Sequence, residues 1–358
     1  MRTIGKGFPV DAPTSMRAGF LYGVRDLRAE DVPVPTPGPE DVLVRVTTNG
    51  LCGSDIHFYK EGKLGPFVVD RPYIPGHECC GVVVGAAAFG GPTVGTRVAI
   101  EPGIPCRRCA LCKSGRYNLC RDVVFMSAPP VNGTFAEYVM VPADFAHVLP
   151  DSVDEESGAF VEPLAVGVQA CTRSGLTAAS TVAVIGAGPI GLVTMLVARA
   201  FGAARVILVD GLPNRLALAS QLGADATINF REEDPEARIA ELTDGGADFV
   251  FDASGSVAGS ASAPGLAVRG GSVTFIGWPE AATFPFPVET ILEKELDVHG
   301  TNRYANAFPR AIALLAAGKI DIHPLVSHRF TLGQVTDAFR FAADNPAETM
   351  KVMVRAEG

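Results

Sequence analysis

Thr181-Val182-Ala183-Val184-Ile185-Gly186-Ala187-Gly188-Pro189-Ile190-Gly191 is the stretch on which the fold turns. Its first five residues are apolar and largely β-branched, and they read as a buried strand. Glycines follow at once with G-x-G-x-x-G spacing, then an uncharged helical run. A second apolar strand, Arg205-Val206-Ile207-Leu208-Val209, ends on Asp210. Strand, glycine turn, helix, strand and acid in this order form the dinucleotide-binding fingerprint. Gly186 permits the tight turn, Gly188 lets the backbone approach a pyrophosphate, and Gly191 lets the helix close on the strand. The helix N-terminus at Pro189 and Ile190 faces the phosphates. Asp210 lies nineteen residues after Gly191. A carboxylate there accepts hydrogen bonds from ribose hydroxyls and repels a 2′-phosphate, which favours NAD over NADP.

Downstream, residues 224–230, 247–251, 271–276 and 296–300 read as further strands with helical segments between them. With the first two they predict six parallel strands in one doubly wound sheet, an α/β Rossmann domain. Residues 174–198 carry no charge and are long enough to span a bilayer. The glycines and Pro189 in their middle favour strand, turn and helix over a membrane span.

Upstream, residues 16–22, 41–46, 81–85, 96–100 and 133–139 read as short strands punctuated by glycine and proline, an irregular β-rich domain. A helix opens at 151–156. After Gly300 the chain turns helical (309–317, then near 335–344) and ends in a strand at 350–354. This tail is expected to return to the first domain. The expected division is 1–160 with 305–358 around zinc, and 161–304 around the cofactor. Residues 1–15 show no clear periodicity. Met1 to Val10 carries Arg2 and Lys6 but no apolar segment, so it does not read as a secretory leader, and a cytoplasmic protein is expected.

With 358 residues the chain exceeds what one core serves, so two domains fit its length. The net charge of −9 argues against a general phosphate-binding surface and hence against nucleic acid as a partner.

Four of the eight cysteines, Cys106, Cys109, Cys112 and Cys120, fall within fifteen residues, spaced C-x2-C-x2-C-x7-C. Without a leader, metal binding is favoured over disulfides. Four thiolates on such short loops close a tetrahedron around a structural zinc. An iron–sulfur cluster is the rival, but its bacterial run ends in x3 and Cys-Pro, whereas Cys120 precedes Arg121 after a gap of seven.

A second set is looser. Cys52-Gly53-Ser54-Asp55-Ile56-His57 is followed, after a stretch broken by glycine and proline, by Gly76-His77-Glu78. Thiol, imidazole and carboxylate are zinc ligands, and three protein ligands with an open fourth position make a catalytic site. A buried Cys, a hydrogen-bonded His and a surface Glu would give the same letters, so spacing alone leaves both readings open. Glu162 sits in an apolar run before Pro163. Buried there it needs a partner, and at a helix end it faces solvent.

Taken together, the chain resembles the zinc-dependent medium-chain dehydrogenases, and within them the sorbitol/xylitol (polyol) dehydrogenases, over nearly all of its length from Met16. The likeness rests on the Cys52–His57 motif, Gly76-His77-Glu78 with Gly81, the four-cysteine lobe, Glu162-Pro163-Leu164, Gly186 to Gly191, and Asn302-Arg303-Tyr304. It implies a GroES-like catalytic domain beside the Rossmann domain. It implies one catalytic zinc on Cys52, His77 and Glu78, with Glu162 bound directly or through water, and one structural zinc on the four cysteines. It places nicotinamide-cofactor contacts at Ile190, Asp210, Arg215, Ile276, Gly277, Trp278, Thr301, Asn302 and Arg303. Polyol contacts map onto Glu162, Arg303, Tyr304 and Phe58, where family members carry a tyrosine. Ser54 and His57 would pass the hydroxyl proton to solvent.

The implied function is oxidation of a polyol to its ketose with NAD, in a dimer or tetramer. The alternatives are a dehydrogenase of a diol, a threonine-like amino alcohol or a sugar acid, and a non-catalytic NAD(H)-binding protein. The last predicts a degraded zinc set, and the set here is complete. Cys79, Cys80 and Cys171 read as apolar packing.

Overall fold

The structure is a computed structural model and describes residues 13–356. The reading of Met1 to Val10 falls outside them. The chain divides into two compact units, residues up to Glu162 with those from Leu325 onward, and Pro163–Pro324.

The first unit is built on the long strand Asp41–Leu51. It pairs antiparallel with Glu78–Gly85, Tyr138–Pro142 and Lys351–Arg355 in a seven-stranded sheet. Cores form on both sides of these strands, one around Val44, Val46, Val83 and Ile100, the other around Phe58, Tyr73, Phe135 and Phe339. The strand expected over 133–139 begins only at Tyr138 and runs to Pro142. Backbone amides before it are already committed: Gly133 donates to Ile74, Phe135 to Pro75, and Glu137 to Arg17. Cys79 and Cys80 are buried as expected.

The second unit holds six parallel strands. In space they run Ala226–Asn229, Arg205–Asp210, Thr181–Ile185, Ala247–Asp252, Ala267–Phe275, Asp297–Gly300. In chain order this is 3-2-1-4-5-6, the doubly wound Rossmann arrangement. Val182, Val184, Val206 and Leu208 are fully buried, as parallel strands covered on both faces must be. The uncharged run 174–198 resolves into the strand Thr181–Ile185 and the helix Pro189–Ala200. No helix among the described residues is long and apolar enough to cross a membrane.

Residues 305–324, expected with the zinc domain, instead belong to the second unit. The helix Phe308–Ala316 buries Phe308, Ala311, Ile312 and Leu315, one face at helical spacing. Arg310 Nη1 donates to Thr172 Oγ1 at 2.9 Å, and its guanidinium covers the Phe201 ring. The tail joins the zinc-ligand unit only from Leu325, through the parallel strands Val326–Thr331 and Lys351–Arg355.

Candidate metal centres and cofactor cradle

Strand register brings the first group of ligands together. Glu78 stands opposite Gly50 on one side of the central strand, and Val352 stands opposite Leu51 on the other. Cys52 follows directly, as the N-cap of the helix Gly53–Glu61. Ligand atoms of Cys52, His77 and Glu78 therefore all lie within 4.8 Å of one another. Glu162, in the first turn of the helix Val161–Arg173, is buried but stands outside that group. It is near enough for its charge to act on both His77 and Lys351.

Two supporting residues were not assigned from sequence. Asp55 is fully buried and accepts from Cys52 N at 3.1 Å, Gly76 N at 3.1 Å and Ser127 Oγ at 2.9 Å. It is the N3 residue of the capping box that starts the helix, so its spacing from Cys52 was the available signal. Burial raises its pKa, against the pull of His77 and these hydrogen bonds. Lys351 is also buried, and its ammonium contacts both oxygens of Glu78. Its signal was a lysine inside the apolar run 350–354, since a buried lysine needs a partner.

The residues fit a cation. Burial works to lower the His77 pKa, yet Cys52, Asp55 and Glu162 outweigh it and raise it well above the ordinary value. Burial likewise works against the Lys351 charge, and Glu78, Cys52 and Glu162 hold its pKa up. A pocket that favours positive charge at two neighbouring groups suits a divalent metal.

Ser54 lies in the first turn of the same helix and is half-buried. His57 is exposed, one turn on, with Nδ1 3.3 Å from Glu61 Oε1. Phe58 points into the core, 4% exposed, edge-on to Tyr73. Tyr59 packs in the same core against Phe339, with the Arg25 guanidinium over its ring.

The second group of ligands is a small lobe. Sulfur separations are 3.4 Å for Cys109–Cys112, 3.9 Å for Cys106–Cys112 and 4.0 Å for Cys109–Cys120. A tetrahedral zinc with Zn–S near 2.3 Å requires an edge of about 3.8 Å. Backbone N–H groups point at the sulfurs, from Cys112 to Cys109 at 3.5 Å and from Cys106 to Cys120 at 3.4 Å. The backbone amides of Arg108 and Cys109 bring the Cys106 thiol down to about 7, so this sulfur ionises readily, whereas burial and the neighbouring sulfurs push Cys112 up to about 12. The four sulfurs fit a closed zinc site.

The cofactor residues line the carboxyl edge of the parallel sheet. Gly186 adopts φ +93°, and a Cβ on Gly191 would overlap the Gly186 carbonyl. Gly188 caps the helix Pro189–Ala200, and a methyl there would meet nothing nearer than Arg215 Nη1 at 3.8 Å. That open space is where a pyrophosphate fits. Asp210 Oδ2 accepts from Ala187 N at 2.7 Å and Oδ1 from Leu212 N at 2.8 Å, so the carboxylate is fixed beside the glycine turn. Ile276 and Gly277 both donate to the Asp252 carbonyl, and Trp278 beyond them is 59% exposed. The Thr301 hydroxyl is buried without a hydrogen-bond partner among the described residues. Arg303 adopts φ +53° after Asn302, and Tyr304 is buried with its ring 5.3 Å from Phe308.

A three-ligand metal group with a separate four-cysteine site on one unit, and a dinucleotide cradle on the other, define a zinc-binding alcohol dehydrogenase. Residues 38–151 match the alcohol dehydrogenase GroES-like domain, and residues 189–317 match the zinc-binding dehydrogenase domain. The chain belongs to the zinc-dependent medium-chain dehydrogenase family. It is 41% identical to the sorbitol dehydrogenase of Bacillus subtilis over 347 residues, 96% of this chain and 98% of that protein. It is also 41% identical to the L-idonate 5-dehydrogenase of Vitis vinifera, over 94% of this chain and 93% of that one. An Escherichia coli oxidoreductase/dehydrogenase of unknown specificity superposes with a TM-score of 0.92 at 34% identity, covering 96% of this chain and all of that one.

Proposed function

We propose that the protein is a zinc-dependent NAD oxidoreductase that interconverts a sorbitol- or xylitol-like polyol and its ketose. The observation that carries this reading is the convergence of Cys52, His77 and Glu78 within 4.8 Å, with a further carboxylate, Glu162, acting on the same pocket. Zinc, when bound, polarises a hydroxyl and NAD accepts the hydride. The chain's own residues do the rest. Cys52, His77 and Glu78 hold the metal. Glu162 takes a substrate hydroxyl or a water. Ser54 accepts the hydroxyl proton and exposed His57 releases it to solvent. Arg303 and Tyr304 are taken as polyol contacts. Gly186 to Gly191 with Asp210 and Arg215 seat NAD, and the Asp210 charge disfavours a 2′-phosphate.

A sugar-acid substrate is the second reading. It is favoured by the equal identity to L-idonate 5-dehydrogenase.

A homo-oligomer is supported by the edge strand Asp297–Gly300, which pairs on one side only among the described residues and exposes Val298. Ligand thiols must stay reduced, which supports a cytoplasmic location.

The test is NADH production on a panel of sorbitol, xylitol, 2,3-butanediol, threonine and L-idonate, before and after metal removal. Turnover of a polyol that vanishes with the metal and returns with zinc supports the first reading. Turnover of L-idonate alone moves the substrate to the second. Full polyol activity in Glu162→Ala would count against the site as drawn.

A further inference from the structure

Lys351 opens the strand Lys351–Arg355 and is 2% exposed. An ammonium is not buried at this depth without a reason, because its desolvation costs several kcal/mol unless it is paired. Its protons are directed at Glu78 Oε1 at 2.8 Å, Glu78 Oε2 at 2.7 Å and the Leu51 carbonyl at 3.3 Å. The Phe160 ring lies 5.6 Å away. On the other side Gly50 offers no side chain, and a Cβ there would run into Glu78 Oε2. The carboxylate is therefore fixed from two strands at once.

A carboxylate oxygen has two lone pairs, so an oxygen of Glu78 held by Lys351 can still meet a metal, but with the ammonium engaging both oxygens the carboxylate is not free to offer both at once. The charge balance changes more. Cys52, Glu78, Asp55 and Glu162 place up to four negative charges around one divalent ion. Without a further cation such a set binds the metal tightly but blunts its pull on a substrate oxygen.

Resting on the reading that Cys52, His77 and Glu78 hold zinc, we propose that Lys351 is a positioning residue of that centre. It keeps Glu78 to a single coordinating oxygen and offsets its charge, so the fourth position stays open and the ion stays strongly polarising. Removing the ammonium would release the second Glu78 oxygen to the metal and remove a repelling charge. Both changes tighten zinc and crowd the open position.

The experiment uses the full-length protein with Lys351→Met, Lys351→Gln and Lys351→Arg. Zinc affinity is read by competition with a chromophoric chelator, and coordination by the visible absorption of cobalt in the same site. Cys52→Ser reports the share belonging to the four-cysteine lobe. Lys351→Met and Lys351→Gln should bind zinc at least roughly tenfold more tightly, since a unit charge a few Å from a divalent ion is strongly felt away from water. Their cobalt absorption should weaken as coordination number rises, while Lys351→Arg should match the parent. Lys351→Gln keeps a hydrogen-bond donor to Glu78 and carries the test if Lys351→Met fails to fold. Parent-like or weaker zinc binding with a parent-like cobalt spectrum in Lys351→Gln would overturn the proposal and leave Lys351 a tie between strands. A parent whose metal content is unchanged by Cys52→Ser would instead sink the metal reading on which it rests.

Discussion

Asp55 Oδ1 stands 3.8 Å from His77 Nδ1, in a pocket where both side chains are buried. The Nδ1 nitrogen has no other partner among the described residues. With Nδ1 turned to the carboxylate, the other ring nitrogen is left for the metal. Asp55 also accepts from Cys52 N, so one carboxylate braces two ligands contributed by different segments. Outer-sphere partners of this kind orient a ligand and are worth about 10–100-fold in metal affinity. Asp55→Asn and Asp55→Ala should weaken zinc binding within that range, Ala more than Asn, with Cys109 and its neighbours still loaded. Chelator competition measures it, and unchanged affinity in Asp55→Ala would show that Asp55 serves the helix start alone.

Much of this was legible in the sequence because local chemistry carried it. Gly186, Gly188, Gly191 and Asp210 encode the cradle at fixed spacing, and the four cysteines encode their lobe. The open metal group was legible only as letters. Its geometry comes from sheet register, with Glu78 opposite Gly50 and Val352 opposite Leu51. Pairing across some 300 residues is not written locally, so the lysine in the apolar run 350–354 signals that it needs a partner and not which one. Residues 305–324 were misplaced for a related reason. The apolar face of Phe308–Ala316 says that it packs, and not on which unit. Phe58 was mapped to the substrate by position, and its ring lies in the core against Tyr73.

Gly188 and Gly191 should fail differently. A Cβ on Gly191 would overlap the Gly186 carbonyl, so Gly191→Ala must distort the turn and should lower stability as well as NAD(H) affinity. A Cβ on Gly188 meets open space. Gly188→Ala should fold with parent stability and lose about tenfold or more in NAD(H) affinity, because the methyl occupies the pyrophosphate's place. Trp278 is the only tryptophan and lies at the same sheet edge, so its fluorescence can report the titration. Equal affinity in Gly188→Ala would place the cofactor elsewhere.

The four-cysteine lobe should depend on its metal locally. Its short helix Ala110–Lys113 buries no residue, so apart from Tyr117 and Arg107 packed on the Phe145 ring the metal is what holds the lobe together. Cys120→Ala should cut zinc content from two ions per chain to one. It should also expose Arg107, Arg108, Lys113 and Arg116 to trypsin while the doubly wound unit stays intact. Limited proteolysis with metal analysis checks both. A lobe that remains resistant after losing its zinc would show that packing, and not metal, holds it.

Glu156 supplies the pH dependence. Its buried carboxylate accepts from Arg329 Nε at 2.6 Å, Arg329 Nη2 at 2.9 Å and Arg355 Nη2 at 2.6 Å. This ties the helix Glu155–Ala159 to the two strands that close the chain. The hydrogen bonds from Arg329 do most to lower its pKa below the ordinary 4.5, against the effect of burial. A depressed folded-state pKa means that the folded protein binds the proton less readily than the unfolded chain. The stabilisation is therefore complete above the ordinary value and is lost as pH falls through the lowered one. Both guanidiniums are half-exposed and can turn to water when the carboxylate is gone. Glu156→Gln should then cost about 1.5–3 kcal/mol at pH 7, the range for hydrogen bonds to a charged group. The gap between parent and variant should narrow steadily below pH 4.5, where the parent loses the same charge. Urea unfolding at neutral and acid pH measures it, and a gap that stays constant or widens in acid would mean that the Glu156 charge is not what the two arginines hold.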